Sequence, residues 1–419
     1  MKPSSSRRRL PALDWMRGLV MVLMAVDHAG GVVDAGHLMT DSWGLYTPGT
    51  SLPVGHFLTR WITHLCAPTF LFLAGTSLAL SMERRQAGGT DARTLDRHLF
   101  KRGLVLLAFE MFWVNPFSQQ VLFALGMSLI CMIPLRRLSN PMLVGGVVLI
   151  VVAGEAVVNL AFQITGAVPG TLGQSINMLM HMTGDPMEAL QNIRNLQSGT
   201  GWFSLFMPFV YPGISWLGPA PMMFLYPFTG WLAMMMLGWG FGRILTAYQA
   251  HPDSAWHPEK VLLVAGGIGL SVFAVLRGLN SYGNMWLLRE DHSLVQWLHV
   301  SKYPPSITFT ALELGLMALC LYVFFRYQRT RTGSPRAWNP LMVLGQTALF
   351  FYIFHMHILG LAGFLTGTTG QLGLPGTYLF TLGILALMYP LCVRFRRYKA
   401  ANPHKFGIFN TNWCIAIGD

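Results

Sequence analysis

Long apolar stretches alternate with short polar segments along almost the whole chain. A helix needs about 20 residues to cross the hydrocarbon core of a bilayer, and most of these stretches reach that length, although the third and fourth are short. The pattern predicts an all-α fold, a polytopic bundle of about ten transmembrane helices. The predicted spans cover residues 17–36, 57–81, 99–116, 121–135, 142–163, 222–243, 260–279, 304–326, 340–363 and 376–393.

The distribution of basic residues predicts the orientation of these helices. If the amino terminus is cytoplasmic, all but five of the 29 lysine and arginine residues fall on the cytoplasmic side, as the positive-inside rule requires. Both termini are then cytoplasmic. The five exceptions are Arg60, Arg194, Arg277, Arg289 and Lys302.

Composition fits one integral membrane domain. The chain is 53% hydrophobic and 11% charged, and about a quarter of a soluble domain is charged. We predict a single domain over 1–400 with an external loop at 164–221, followed by a cytoplasmic tail at 401–419. The net charge of +12 is divided among short loops. We therefore attribute it to membrane topology and to contact with membrane lipid, and not to nucleic-acid binding. The five cysteines show no metal-ligand spacing, so no metal site is predicted.

Ionisable residues interrupt several predicted spans at a similar depth. A charged Asp, Lys or Arg at the bilayer centre costs roughly 2.5–3.5 kcal/mol, so such groups usually face a protein-lined cavity. The topology places them in the external half of the membrane, and we predict that they form one functional site there. The residues are Asp27, His28, Arg60, His64, Lys302 and His355.

Other buried ionisable residues have a structural interpretation. His355 and His357 point about 200° apart on a helix, so both cannot line one pocket. Glu110 and Glu313 are as readily explained as partners between helices as they are as catalysts.

Four segments carry a resemblance to a known family. They read LDWMRGLVMVLMAVDHAG, FLTRWITHLCAPTFLFLAGTSLAL, KYPPSITFTALELG and NPLMVLGQTALFFYIFHMHIL, and they resemble bacterial members of the heparan-alpha-glucosaminide N-acetyltransferase catalytic-domain family. The resemblance extends from about residue 10 to about residue 400. In the lysosomal enzyme of this family the position matching Asp27 is an amide residue, and the catalytic histidine falls nearer to His37 than to His28.

The resemblance implies a membrane acyltransferase of the bacterial inner membrane. Such an enzyme takes an acetyl group from cytosolic acetyl-CoA and passes it to an amine or hydroxyl of a sugar or glycan on the external side. His28 is the predicted general base or acyl carrier, with Asp27 to orient it and His64 as a rival catalytic histidine. The predicted substrate-binding residues are Arg60, Lys302, His37 and His355.

The donor is expected at the cytoplasmic ends of spans 1 and 3. Arg17, Lys101 and Arg102 lie there and would hold the phosphates of coenzyme A. Arg17 and His28 share a helix face, about 16 Å apart along the axis. The extended pantetheine arm would then deliver the thioester to His28.

A second class of function stays open on the sequence. A proton-coupled secondary transporter also places Asp, His and Arg residues near the midplane. It would bind its substrate without consuming acetyl-CoA. The sequence does not decide whether the acetyl group is transferred directly or by a ping-pong mechanism. It also leaves open the identity of the acceptor and whether the protein forms a homodimer.

Overall fold

The computed structural model describes residues 10–37, 40–115, 117–165, 186–196, 208–217, 220–252, 256–331 and 338–402. Helices dominate these residues, and the predicted all-α membrane fold is confirmed. The helices are α1 Pro11–Val33, α2 Val54–Thr63, α3 Cys66–Ala87, α4 Ala92–Phe109, α5 Val121–Leu135, α6 Asn140–Thr165, α7 Pro186–Leu196, α8 Phe228–Ala250, α9 Pro258–Leu279, α10 Leu294–Leu298, α11 Ile307–Thr330, α12 Pro340–Gln346, α13 Ala348–Thr366 and α14 Gly373–Ala401.

Each of the ten predicted spans falls on one or two of these helices. Within the described ranges, seven helical segments are long and apolar enough to cross a membrane, with α2 and α3 acting as one segment. The other three predicted spans coincide with α4, α5 and α8. The chain is therefore an integral membrane protein.

The helices form a buried centre surrounded by outer helices with exposed apolar faces. The segment Val54–Ala87 is largely buried, and α3 packs along α8 while α1 packs along α12, α13 and α14. By contrast, α6 and α9 leave most of their apolar side chains exposed. Exposed apolar helix faces of this kind are what a bilayer covers.

The second span is broken in the middle. α2 ends at Thr63 and α3 begins at Cys66, where a continuous helix was expected. The break lies one turn before Pro68, which has no N–H to donate to the carbonyl of His64. On the other side of the break, the backbone N–H of His64 donates to the carbonyl of Trp61 at 3.0 Å, a tightened last turn of α2. His64 therefore lies at a helix end inside the bundle.

Two glycine pairs bring the central helices into backbone contact. A Cβ on Gly75 of α3 would lie 2.1 Å from the carbonyl oxygen of Met235 in α8, and one on Gly238 would lie 1.9 Å from that of Phe72. Likewise, a Cβ on Gly18 of α1 would lie 2.0 Å from the carbonyl oxygen of Leu341, and one on Gly345 of α12 would lie 2.0 Å from that of Asp14. Small residues permit this close packing between membrane helices.

A small three-stranded sheet joins the end of the predicted external loop to the segment between α4 and α5. Strands β2 (Gly213–Leu217) and β3 (Ala220–Phe224) pair antiparallel, with Ile214 opposite Met223. Strand β1 (Ser118–Gln119) pairs parallel to β3. The sixth predicted span, at 222–243, therefore begins as a strand, and its helix starts at Phe228. Much of the predicted loop and residues 403–419 of the predicted tail lie outside the described residues.

Candidate active site

Arg60 joins two aspartates at the centre of the site. Its Nη1 donates to Asp27 Oδ1 of α1 at 2.6 Å, and its Nη2 donates to Asp41 Oδ2 at 2.8 Å. All three side chains are buried or nearly so. Two carboxylates and one guanidinium leave a net negative charge in the predicted external half of the bundle, which a nearby cation can balance.

Asp27 has two further partners. Thr63 Oγ1 donates to Asp27 Oδ1 at 2.8 Å, and His37 Nε2 lies 3.3 Å from the same oxygen. The imidazole beside Asp27 is therefore that of His37. The expectation that Asp27 orients its sequence neighbour His28 is replaced by this arrangement, because the two side chains leave α1 about 100° apart.

His64 forms an acid–imidazole pair with Asp41. Its Nε2 donates to Asp41 Oδ2 at 3.1 Å, and its Nδ1 is buried without a hydrogen-bond partner among the described residues. Burial by itself raises the pKa of the Asp41 carboxyl, but Arg60 and His64 outweigh burial and hold that pKa well below its usual range. Asp41 is therefore a stable anion that orients His64, as the aspartate does in a catalytic triad.

His28 contacts a second histidine from α13. Its Nδ1 lies 2.6 Å from Nε2 of His355, and the two rings are nearly parallel, at 17°, with their centroids 4.9 Å apart, as an in-plane hydrogen bond between them requires. His355 is 0% exposed, whereas His28 is only partly buried. Of the two rings, His28 is therefore the more exposed one.

Lys302 supplies the second cation of the site. Its side chain is buried, its ammonium lies 5.1 Å from the ring centroid of Tyr303, and its backbone N–H donates to the carbonyl of Asp41 at 2.8 Å. The ammonium interacts electrostatically with Asp27, His28 and His64. It also interacts with Glu313 of α11, whose Oε1 is buried without a hydrogen-bond partner in the described parts of the chain.

A cavity with about 390 Å³ of empty volume adjoins this cluster. Asp41, Arg60 and His64 line it. Five of its lining residues also carry a buried polar atom that has no hydrogen-bond partner within the described ranges: Asp41 Oδ1, Arg60 Nε, Trp61 Nε1, His64 Nδ1 and His299 Nδ1. Buried polar atoms normally have partners. Their concentration around one cavity makes this cavity the candidate binding site.

Two histidines at this cavity were not predicted from the sequence. His299 Nε2 contacts the carbonyl of Thr40 at 2.9 Å, and burial lowers the pKa of His299. His56 contacts Asp34 at 2.9 Å. Both, like Asp41, lie at or beyond the ends of the predicted spans, so no intramembrane charge marked them. To identify them, one would have had to know that the loop after α1 packs against Lys302, and the sequence does not show this contact.

A second cavity, with about 440 Å³ of empty volume, lies toward the predicted cytoplasmic ends of the same helices. Arg17 of α1 and Arg102 of α4 both line it, together with apolar residues of α3 and α5. Arg17 donates to Asp14 Oδ1 at 3.0 Å and to the hydroxyl of Ser77. Lys101 is exposed and does not line this cavity.

The remaining ionisable residues lie apart from the site. Glu110 begins a π-helical turn, Glu110–Val114, and its Oε2 accepts from the backbone N–H of Leu122 at 2.7 Å and of Phe123 at 3.2 Å. It therefore caps α5. His357 is exposed and contacts the carbonyls of Ile353 and Trp113. The prediction that His355 and His357 face different surroundings agrees with these contacts.

Comparison with protein families supports the resemblance seen in the sequence. Residues 9–181 match the model of the heparan-alpha-glucosaminide N-acetyltransferase catalytic family, and residues 245–402 match that of a family described as protein of unknown function (DUF418). The amino-terminal part of the chain thus carries the catalytic-domain signature of a family of membrane acetyltransferases. No curated protein matches the chain.

The first family match contains most of the site. Asp27, His28, Asp41, Arg60 and His64 all lie within residues 9–181, together with both arginines of the second cavity. The second match supplies Lys302 and His355. The expected resemblance over about residues 10–400 is therefore divided between two models rather than covered by one.

Proposed function

We propose that the protein is a membrane acetyltransferase that uses cytosolic acetyl-CoA and acetylates an amine or hydroxyl of a sugar or glycan on the external side. One observation carries the proposal. Two cavities occur in one helix bundle, one lined by arginines and one lined by a histidine–aspartate–arginine cluster, and α1 and the α2–α3 segment contribute to both regions. Acyl transfer from a cytosolic thioester to an external acceptor requires such a pair of sites.

The arginine-lined cavity is the proposed donor site. Arg17 and Arg102 supply cationic donors for coenzyme A phosphates, and Phe70, Leu78 and Leu129 offer an apolar wall for the pantetheine arm. Along α1, the distance from Arg17 to His28 is roughly 16 Å. An extended arm entering from the cytoplasmic side points the thioester toward His28.

His28 is the proposed general base. The acceptor amine or hydroxyl attacks the thioester carbonyl, and its proton passes to His28. The C–S bond then breaks, and the thiolate of coenzyme A takes the proton back, so that the products are the acetylated acceptor and free coenzyme A. Lys302 is the proposed stabiliser of the negative carbonyl oxygen of the intermediate, since both Nη atoms of Arg60 already donate to aspartates.

The external cavity is the proposed acceptor site. Its unpartnered nitrogen and oxygen atoms match the hydroxyl and amine groups of a sugar. A bacterial inner membrane would place this cavity on the periplasmic side. Contact with membrane lipid follows from the exposed apolar helices, and a homodimer remains open.

The direct test is acetyl transfer by the purified protein in proteoliposomes. Glucosamine serves as the amine acceptor and N-acetylglucosamine as the hydroxyl acceptor, with product and free coenzyme A measured by mass spectrometry. His28→Ala should lower turnover about 10²–10⁴-fold, as expected for loss of a general base. His357→Ala, on an exposed face of α13, is the matched control and should retain full turnover.

Two further variants separate the rival histidines. If His37→Ala or His64→Ala is inactive while His28→Ala turns over normally, the role of base passes to that residue. Absence of coenzyme A release from the wild-type protein with every acceptor would contradict the acetyltransferase proposal and favour the transporter.

A further inference from the structure

Two nearly coplanar histidine rings, His28 and His355, form a chain of hydrogen bonds that ends on the backbone of α13. His28 Nδ1 lies 2.6 Å from His355 Nε2. His355 Nδ1 in turn lies 2.9 Å from the carbonyl oxygen of Phe351 and 2.9 Å from that of Tyr352. His355 is completely buried, and the rings of Phe351 and Tyr352 also lie against it, with centroids 5.0 Å and 6.0 Å away.

The carbonyl end of this chain fixes the positions of the hydrogens. A carbonyl oxygen only accepts, so His355 Nδ1 must carry a hydrogen. In a neutral imidazole the other nitrogen then accepts, which makes His355 Nε2 an acceptor. The partner at 2.6 Å, His28 Nδ1, must therefore carry the hydrogen of that bond. The lone pair of His28 is left on Nε2.

We propose that His355 is a positioning residue that holds His28 in the Nδ1–H tautomer, with Nε2 as the basic nitrogen presented to the substrate. The catalytic use of that nitrogen rests on the proposed function, but the tautomer does not. The role corresponds to that of the aspartate in a catalytic triad, here filled by a neutral imidazole. Asp27 does not fill it, because its Oδ1 is engaged by Arg60, Thr63 and His37.

The arrangement also supports the charge that catalysis would create. When His28 Nε2 takes the acceptor proton, the ring becomes an imidazolium whose Nδ1–H still donates to His355. A hydrogen bond from a charged donor is stronger than a neutral one. The carbonyls of Phe351 and Tyr352 stabilise the far end of the chain, so no buried carboxylate is needed at this position.

The test reads the tautomer directly. Protein labelled with ¹⁵N in its histidines, in lipid bilayers, gives nitrogen signals that distinguish protonated from unprotonated ring nitrogens, assigned by comparison with His28→Asn and His355→Gln. We expect Nδ1 of both His28 and His355 to be protonated and Nε2 of both to be bare. A bare Nδ1 on His28, or a His355 protonated at both nitrogens in the resting protein, would overturn the proposal.

Two substitutions separate positioning from packing. In His355→Phe the ring volume is retained but the acceptor is lost, so His28 should shift to the Nε2–H tautomer, and kcat should fall about 10²-fold with little change in the KM for acetyl-CoA. In His355→Gln the side-chain carbonyl can accept from His28 Nδ1, so the tautomer and much of kcat should return. His357→Gln is the matched control on α13 and should change neither.

The outcomes distinguish this inference from the proposed function. If His28 keeps its Nδ1 hydrogen in a folded His355→Phe protein, His355 does not set the tautomer and the inference fails. If the tautomers behave as expected but the wild-type protein transfers no acetyl group, the proposed function fails and the structural role of His355 stands.

Discussion

At the scale of single residues, the site is organised by the pairing of buried charges. Arg60 lies between Asp27 and Asp41, and each of those carboxylates has a histidine beside it, His37 and His64 respectively. Removing one member of a buried ion pair leaves the other charge without compensation. Stability and chemistry are therefore coupled in the same few side chains.

Asp41→Asn should destabilise the folded protein by about 3–5 kcal/mol at neutral pH, because buried Arg60 then keeps one carboxylate instead of two. The measurement is thermal unfolding in detergent. Asp91→Asn is the control, because Asp91 is an exposed N-cap of α4 that accepts from Thr94 and asparagine caps about as well. Equal losses in the two variants would contradict the assigned role of Asp41.

The same variant predicts a change in acid stability. The folded pKa of Asp41 is lowered, so its contribution to stability is complete above its unfolded pKa of about 3.9 and is lost as the pH falls through the folded value. The wild-type protein should therefore lose stability below about pH 4. Asp41→Asn should show a flatter acid limb in the unfolding temperature against pH, and an unchanged limb would contradict the prediction.

Arg102 and Lys101 are neighbours in sequence that the structure separates. Arg102 is buried at the arginine-lined cavity, and Lys101 is exposed. Arg102→Ala should raise the KM for acetyl-CoA more than the KM for the acceptor, because phosphate contacts supply mainly uniform binding. Lys101→Ala is the matched control and should change neither constant. A larger effect from Lys101 would move the donor site to the exposed face of α4.

At the scale of helices, breaks and close contacts decide where the polar groups meet. The gap between α2 and α3 places His64 at a helix end, and Pro68 explains the position of that gap. The periodicity of an apolar stretch predicts that a helix is present. It does not predict which face touches which neighbour, because in a membrane bundle both lipid and protein contacts are apolar.

The contact between α3 and α8 gives a test at this scale. Gly75→Ala should destabilise the protein by roughly 1–3 kcal/mol, because the new methyl group would overlap the carbonyl of Met235. Gly145→Ala in α6 meets nothing within 4 Å and should be neutral or slightly stabilising, since alanine favours helix. Unfolding temperatures of the two variants in detergent give the comparison. Similar values would mean that α3 and α8 are not in backbone contact.

At the scale of the whole molecule, the function requires that the two cavities open to opposite sides of the membrane. A cysteine at Thr50, in the exposed loop between α1 and α2, should react with an impermeant thiol reagent from the external side. A cysteine at Gln86, exposed at the far end of α3, should react only from the cytoplasmic side. Both are placed in a chain whose native cysteines are replaced by alanine. The reverse labelling pattern would invert the topology and with it the donor and acceptor sides.

The sequence by itself determined the fold class and the helical segments, and it predicted most of the candidate site. Apolar length predicts membrane helices because an unsatisfied backbone is costly in lipid. For the same reason, a charge inside such a helix marks a protein-lined cavity, which identified Asp27, His28, Arg60 and His64. These inferences need only local composition and spacing.

Only the tertiary structure decided which side chains of the site contact one another. Asp41 and His299 lie in polar segments where a charge costs little, so their sequence positions gave no signal; the fold carries both to the same buried cavity. His355 was expected to contact substrate, yet it lies behind His28, because α13 packs against α1 with that face inward. Which charge pairs with which depends on the relative rotation of helices far apart in sequence, and hydrophobic periodicity does not encode that rotation.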